Sequence, residues 1–115
     1  MRYKDENLIS RNRVNEVFVS EDVGEISATL VAIALNDSSW RWAQNRCLEF
    51  LNHDNFEIRG VAATCLGHIA RIHGQLDKDK VMPALCERLK DKAISGRIED
   101  AIADIGMFLS NRRKW

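Results

Sequence analysis

At 115 residues, with 45% hydrophobic and 30% charged side chains, residues 1–115 have the length and composition of one globular domain that buries a single core without metals or disulfide staples. Seventeen basic and seventeen acidic residues cancel, which excludes a general electrostatic pull towards nucleic acid or an anionic membrane and leaves local patches to steer a partner. The opening MRYKDENLIS is charged throughout and the longest apolar run, Leu30 to Leu35, is far too short to span a bilayer, so no signal peptide or membrane anchor is expected and the chain reads as cytoplasmic.

The first element, about Asp5 to Phe18, has an imperfect apolar edge of Leu8, Ile9, Val14, Val17 and Phe18, interrupted by the polar block Ser10 to Arg13. A terminal helix with such an edge suits the end of a stack. The second is marked by Asp22 and Glu25, spaced as a capping box, after which Val23, Ile26, Leu30, Ile33 and Ala34 keep helical spacing up to the turn Asn36 to Ser39. Trp40 to Asn52 forms the third, with Ala43, Cys47, Phe50 and Leu51 inward. Only His53, Asp54 and Asn55 separate it from the fourth, so the two helices must run antiparallel.

The fourth helix organises the chain. Ile58, Val61, Ala62, Cys65, Leu66, Ile69 and Ile72 step by three or four and lay one stripe along it. Asp54 with Glu57 repeats the acidic start signal, and Gly74 ends the helix behind Arg71 and His73, where cations meet free carbonyls. Beyond the loop Gln75 to Asp79, the single proline, Pro83, belongs in a first turn or at a kink. The fifth helix, Lys80 to Lys90, then directs Met82, Leu85, Cys86 and Leu89 inward. After a turn at Asp91 to Ala93, the sixth carries Ile94, Ile98, Ala101, Ile102, Ile105 and Phe108, followed by a basic, frayed tail from Asn111 whose Trp115 can fold back over it. Cys47, Cys65 and Cys86 are odd in number and fall on these stripes, where cysteine acts as a small hydrophobe and a reducing compartment suits it.

Leu51, Phe56 and Arg59 recur as Leu89, Ile94 and Arg97 about 38 residues on, and Ala62, Leu66 and Gly67 recur as Ala101, Ile105 and Gly106 one residue further out of register. Through FLNHDNFEIRGVAATCLGHIA and MPALCERLKDKAISGRIEDAIADIG the chain resembles the HEAT-repeat family, whose helical-hairpin units run to ~40 to 47 residues. The resemblance implies an all-α short α-solenoid of about six helices in about three HEAT-like hairpins. It also implies a ladder between neighbouring units, made by an acid in the turn of each unit and an arginine early in its second helix. Asp91 and Arg97 match that pattern; one unit earlier Arg59 matches, while the turn position is His53 with Asp54 next to it. Gly60, Gly67, Gly96 and Gly106 inside the second helices point to close backbone approach.

Catalytic patterns are absent: there is no phosphate-binding glycine loop, nucleophile elbow or metalloprotease helix motif. Cys65 and His68 have the spacing of a metal or nucleophile pair, but Cys65 belongs to the core stripe and no third ligand follows. His53 and His73 sit at helix ends, where capping explains them. No enzyme activity, cofactor or metal is therefore expected. Trp40 and Trp42 flank Arg41 and cannot both face one stripe, so one is a candidate interface anchor. Glu99, Asp100 and Asp104 lie off the stripe of the sixth helix as an acidic patch suited to a basic cleft, beside a more positive surface of Arg59, His68 and Arg71. Such a mixed surface suits a protein partner better than a phosphate backbone.

A HEAT-like chain of this size resembles the small immunity proteins that bacteria pair with secreted or contact-delivered toxins. That resemblance implies a cytoplasmic inhibitor that covers the active site of a cognate toxin, often a nuclease; separately, a monomer is expected, with no direct binding to nucleic acid or membrane. The anchors expected for it are Trp40, Glu57, His68, Arg71, Glu99, Asp100 and Asp104. A HEAT-like adaptor or assembly factor is the second reading, and a HEAT-like lyase or glycosylase the third.

Overall fold

Side chains that accept hydrogen bonds from free backbone amides set where the first four helices begin. Ser10 caps α1 (Arg11–Phe18), Asp22 caps α2 (Val23–Asn36), Ser39 caps α3 (Trp40–Phe50) and Asn55 caps α4 (Phe56–His73). Next come α5 (Lys78–Glu87), a 3-10 turn over Arg88–Lys90 and α6 (Ser95–Arg113). The computed structural model describes residues 10–113, which contain these six α-helices and no strand. Leu8, Ile9 and Trp115, expected at the edges of the first and last helices, lie outside the described residues. None of the described helices is long and apolar enough to cross a membrane.

α4 is central. It packs most extensively against α6, then α2, then α3, while α1 rests on α2 and α5 on α6. Residues from the starts of α2, α4 and α6 (Val23, Phe56 and Ile94 among them) line one groove, so these three helices run parallel, side by side. They form one layer and α1, α3 and α5 cover its inner side, giving extents of 39 × 36 × 18 Å, about two helices thick. Between the layers lies a continuous core that includes Ile26 and Leu30, Ile58, Leu66 and Ile69, and Ile98 and Ile105, all fully buried.

Several local expectations are corrected. The first described helix begins within the polar block, at Arg11, since the Ser10 hydroxyl accepts from the Arg13 amide, and the start expected near Asp5 lies outside the described residues. α4 is capped by Asn55, whose side chain accepts from the amides of Glu57 and Ile58, and not by Asp54. α5 runs from Lys78 to Glu87 instead of Lys80 to Lys90; Leu85 is buried as expected and Val81 with it, while Cys86 and Leu89 are exposed. Pro83 therefore sits inside α5 on its exposed side, where water can serve the carbonyl that its missing N–H leaves free. Ile72 is 48% exposed and so falls off the α4 stripe, and α6 continues to Arg113, into the stretch expected to fray. Gly74 ends α4 as anticipated, at φ 67°, in the left-handed region where glycine is favoured.

One side chain ties these pieces together. Arg59, on the first turn of α4, donates from Nε to Asp91 Oδ2 at 2.9 Å and from Nη1 to the carbonyls of His53 and Asp54, each at 2.9 Å. It thereby holds the α3–α4 turn behind it and the α5–α6 turn beside it. Both partners of the ion pair are only 18% exposed, so water screens the charges less than at a surface pair. Arg59→Ala is expected to lower the unfolding free energy by about 2 kcal/mol, measured by urea denaturation. A double-mutant cycle with Asp91→Asn should assign a clear part of that loss to the ion pair.

Candidate functional site

Glu57, Val61, Thr64, His68 and Arg71 step by three or four along α4 and share its outward face. Glu57 and Arg71 are exposed, and the three between them are half-buried because α2 and α6 flank the helix closely. At the C-terminal half, glycine permits that closeness: a Cβ on Gly67 would lie 3.4 Å from Ala101 Cα and 3.2 Å from Asp104 Oδ2. Asp104 is thus brought against α4 next to His68, whose Nδ1 hydrogen-bonds the Arg71 guanidinium. Because arginine only donates, that contact assigns Nδ1 as the acceptor and the imidazole as neutral. Burial pushes the His68 pKa below its ordinary 6.5, Arg71 pushes it the same way, and Asp104 partly opposes both.

At the N-terminal half, the same three helices enclose a groove of about 680 Å³. Val23, Gly24 and Ser27 form one wall, Phe56, Glu57 and Val61 the floor, and Ala93, Ile94 and Arg97 the other wall. Phe56 is 54% exposed, an uncommon position for an aromatic ring unless something covers it. Arg97 lies flat on α4, where a Cβ at Gly60 would meet its Nη1 at 2.7 Å and its Cδ at 2.8 Å. Two of the four glycines expected to mark close approach do so; nothing lies within 4 Å of a Cβ on Gly96 or Gly106.

The expected anchors divide accordingly. His68, Arg71 and Asp104 come together, with exposed Asp100 one turn before Asp104 on the same side of α6. Glu57 belongs to the groove, about 16 Å along the helix from His68. Glu99 is exposed but turned about 100° from Asp100, so it does not extend a single acidic patch. Trp40 is elsewhere, in a hollow of about 440 Å³ with Arg41, the α4–α5 loop and Leu109. It and Trp42 are both half-buried against the core. The guanidinium of Arg41 covers Trp40 at 4.5 Å and that of Arg11 covers Trp42 at 4.0 Å.

Beside Trp40, Asp77 receives both Nε and Nη2 of Arg41, each at 3.1 Å. The fully buried Gln44 donates to Asp77 Oδ2 at 2.9 Å and accepts from the Asp77 amide at 2.7 Å. These bonds, those of Arg41 foremost, hold the Asp77 carboxyl at about 2 against an ordinary 3.8. Cys65 is buried next to Cys47, whose thiol that contact and burial push well above its usual range, and His68 bonds Arg71 instead of Cys65. Among the described residues no three His, Cys, Asp or Glu side chains gather as a metal-binding group. His73 caps a neighbour and not its own helix, with Nε2 at 3.0 Å from the Ala34 carbonyl near the end of α2. Phe56, Arg97 and Gln44 are the residues that sequence reasoning did not place at a site. Phe56 alone carried a local signal, as an aromatic lying just outside the α4 stripe.

No protein-family model, curated protein or solved structure significantly matches the chain.

Asp77 is more acidic in the fold than in the unfolded chain, so its contribution to stability is complete above about pH 4 and is lost as pH falls towards 2. Asp77→Asn is expected to flatten the stability profile in that window, read from urea midpoints at successive pH values. For His68, Arg71→Ala should raise the imidazole titration midpoint and Asp104→Asn should lower it further, as followed by proton-detected NMR of the ring.

Proposed function

We propose that this chain is a protein-binding domain built from HEAT-like hairpins stacked as a short solenoid, and that its partner is a protein toxin whose active site it covers. The observation that carries the binding role is the outward face of α2, α4 and α6. It combines a groove of about 680 Å³, with apolar and charged side chains around the exposed Phe56, with a separate mixed-charge cluster of His68, Arg71 and Asp104. An aromatic anchor in a partly desolvated pocket beside complementary charges is how protein interfaces concentrate affinity and select partners. The face mixes signs through Glu57, Arg97, Asp100, Asp104 and Arg71, whereas a phosphate backbone calls for clustered cations. The repeat reading is supported by the parallel α2, α4 and α6 and by the Arg59–Asp91 bond, which joins an early arginine of one second helix to the acid in the next turn. The toxin as partner rests on the resemblance to small immunity proteins. In that role the chain is a cytoplasmic inhibitor that acts by occlusion, with no catalysis of its own.

The test pairs rescue with complex formation. Co-expression of the full chain with the product of the adjacent upstream gene is expected to restore growth of cells that this product kills, and size-exclusion chromatography should give a one-to-one complex. Phe56→Ala should weaken that complex by about tenfold or more. Capture of abundant host proteins without rescue would replace the inhibitor by an adaptor.

A further inference from the structure

Arg59 and Arg97 occupy corresponding places early in α4 and α6, yet their bonding differs. Arg59 is saturated by Asp91 and two carbonyls. Arg97 is exposed and has no hydrogen bond or ion pair among the described residues. It is nevertheless not loose, because its side chain lies along the α4 backbone at Gly60, closer than a Cβ there would allow. A guanidinium held against a helix backbone, with no partner among the described residues, is preorganised for a planar acceptor, and a carboxylate takes two of its N–H groups at once. Arg97 also lines the groove that contains Phe56, Val23 and Val61, so an apolar side chain has a place beside the cation.

Resting on the protein-binding reading above, we infer that this groove receives a convex partner segment in which an acidic side chain adjoins an aromatic or large aliphatic one. The carboxylate pairs with Arg97 and the apolar group packs on Phe56. Glu57 on the same floor decides between ligand classes: it repels a run of phosphates, while a single carboxylate directed at Arg97 can be flanked by a donor facing Glu57. The volume of about 680 Å³ accommodates a few side chains and not a whole domain, so the recognised unit is a short segment.

The experiment is a selection of phage-displayed random dodecapeptides on the immobilised full chain, followed by fluorescence-anisotropy titration of the enriched peptides. Enriched peptides should share an Asp or Glu next to Phe, Trp or Leu. They should lose about tenfold or more in affinity when that acid is made an amide, and similarly on Arg97→Gln or Phe56→Ala, with Glu49→Gln, exposed on α3 in the other layer, leaving them unchanged. Circular dichroism checks that the variants remain folded, and the amide peptide tests the same contact on unmodified protein. Peptides that bind Arg97→Gln as well as the original chain, enrichment of basic peptides dependent on Glu57, or no enrichment at all would each overturn the inference. Because the selection uses no toxin, failure of the rescue experiment leaves this result readable, and the reverse also holds.

Discussion

The Arg59 guanidinium is the constraint on which the arrangement depends. A helical hairpin cannot bury its apolar stripe alone, and the geometry between hairpins has to be fixed by something more directional than apolar contact. Arg59 supplies that direction through charge-assisted bonds to three acceptors on two different turns. Once those turns are fixed, α6 must run beside α4 and parallel to it, and the position of every residue on the outward face follows. A similar device works on the other layer, where Asp77 gathers Arg41 and Gln44 and so fixes the start of α5 against α3.

Given that placement, the small residues of α4 set how near its neighbour comes. Gly67 lets Ala101 and Asp104 of α6 approach the α4 backbone, and Gly60 provides the surface on which Arg97 lies. A larger side chain at Gly67 would press on Ala101 and Asp104 of α6, whereas one at Gly60 would displace the Arg97 side chain from the groove. The mixed-charge cluster and the seat of Arg97 in the groove therefore both depend on small residues along the α4–α6 contact. Both lie on the most heavily packed helix of the chain, which keeps the face rigid and reduces the ordering cost of binding.

What was legible in the sequence was what adjacent residues decide. Asp22 caps α2 and Gly74 ends α4 because a free amide or carbonyl must be satisfied within the next few residues. The stripes of α2, α3 and α6 are buried largely as their periodicity required. The failures occur where tertiary contacts choose between local options. Asp54 and Asn55 both qualify as caps, and Arg59 favours the second by taking the Asp54 carbonyl into its own bonds. Cys86 has stripe spacing, but α5 is rotated by its anchorage at Asp77 and gives way to a 3-10 turn at Arg88. Gln44 is polar and fully buried, a combination that no periodic pattern announces, since its partner lies across the chain at Asp77.

The same distinction explains the candidate site. His68, Arg71 and Asp104 were named for their chemistry, and they meet because the helix spacing and Gly67 happen to converge there. Trp40 lies apart from them, half-buried under Arg41 at the edge of a separate hollow, so it does not extend the face of α2, α4 and α6. Phe56 and Arg97 belong to that face, and neither is fully used by the fold. A half-exposed ring and an exposed cation without a partner among the described residues keep apolar area and donors in water, and a complementary surface gains free energy by taking up both together. Affinity would then be concentrated at the groove, while the charges about 16 Å away along α4 act on orientation and partner choice.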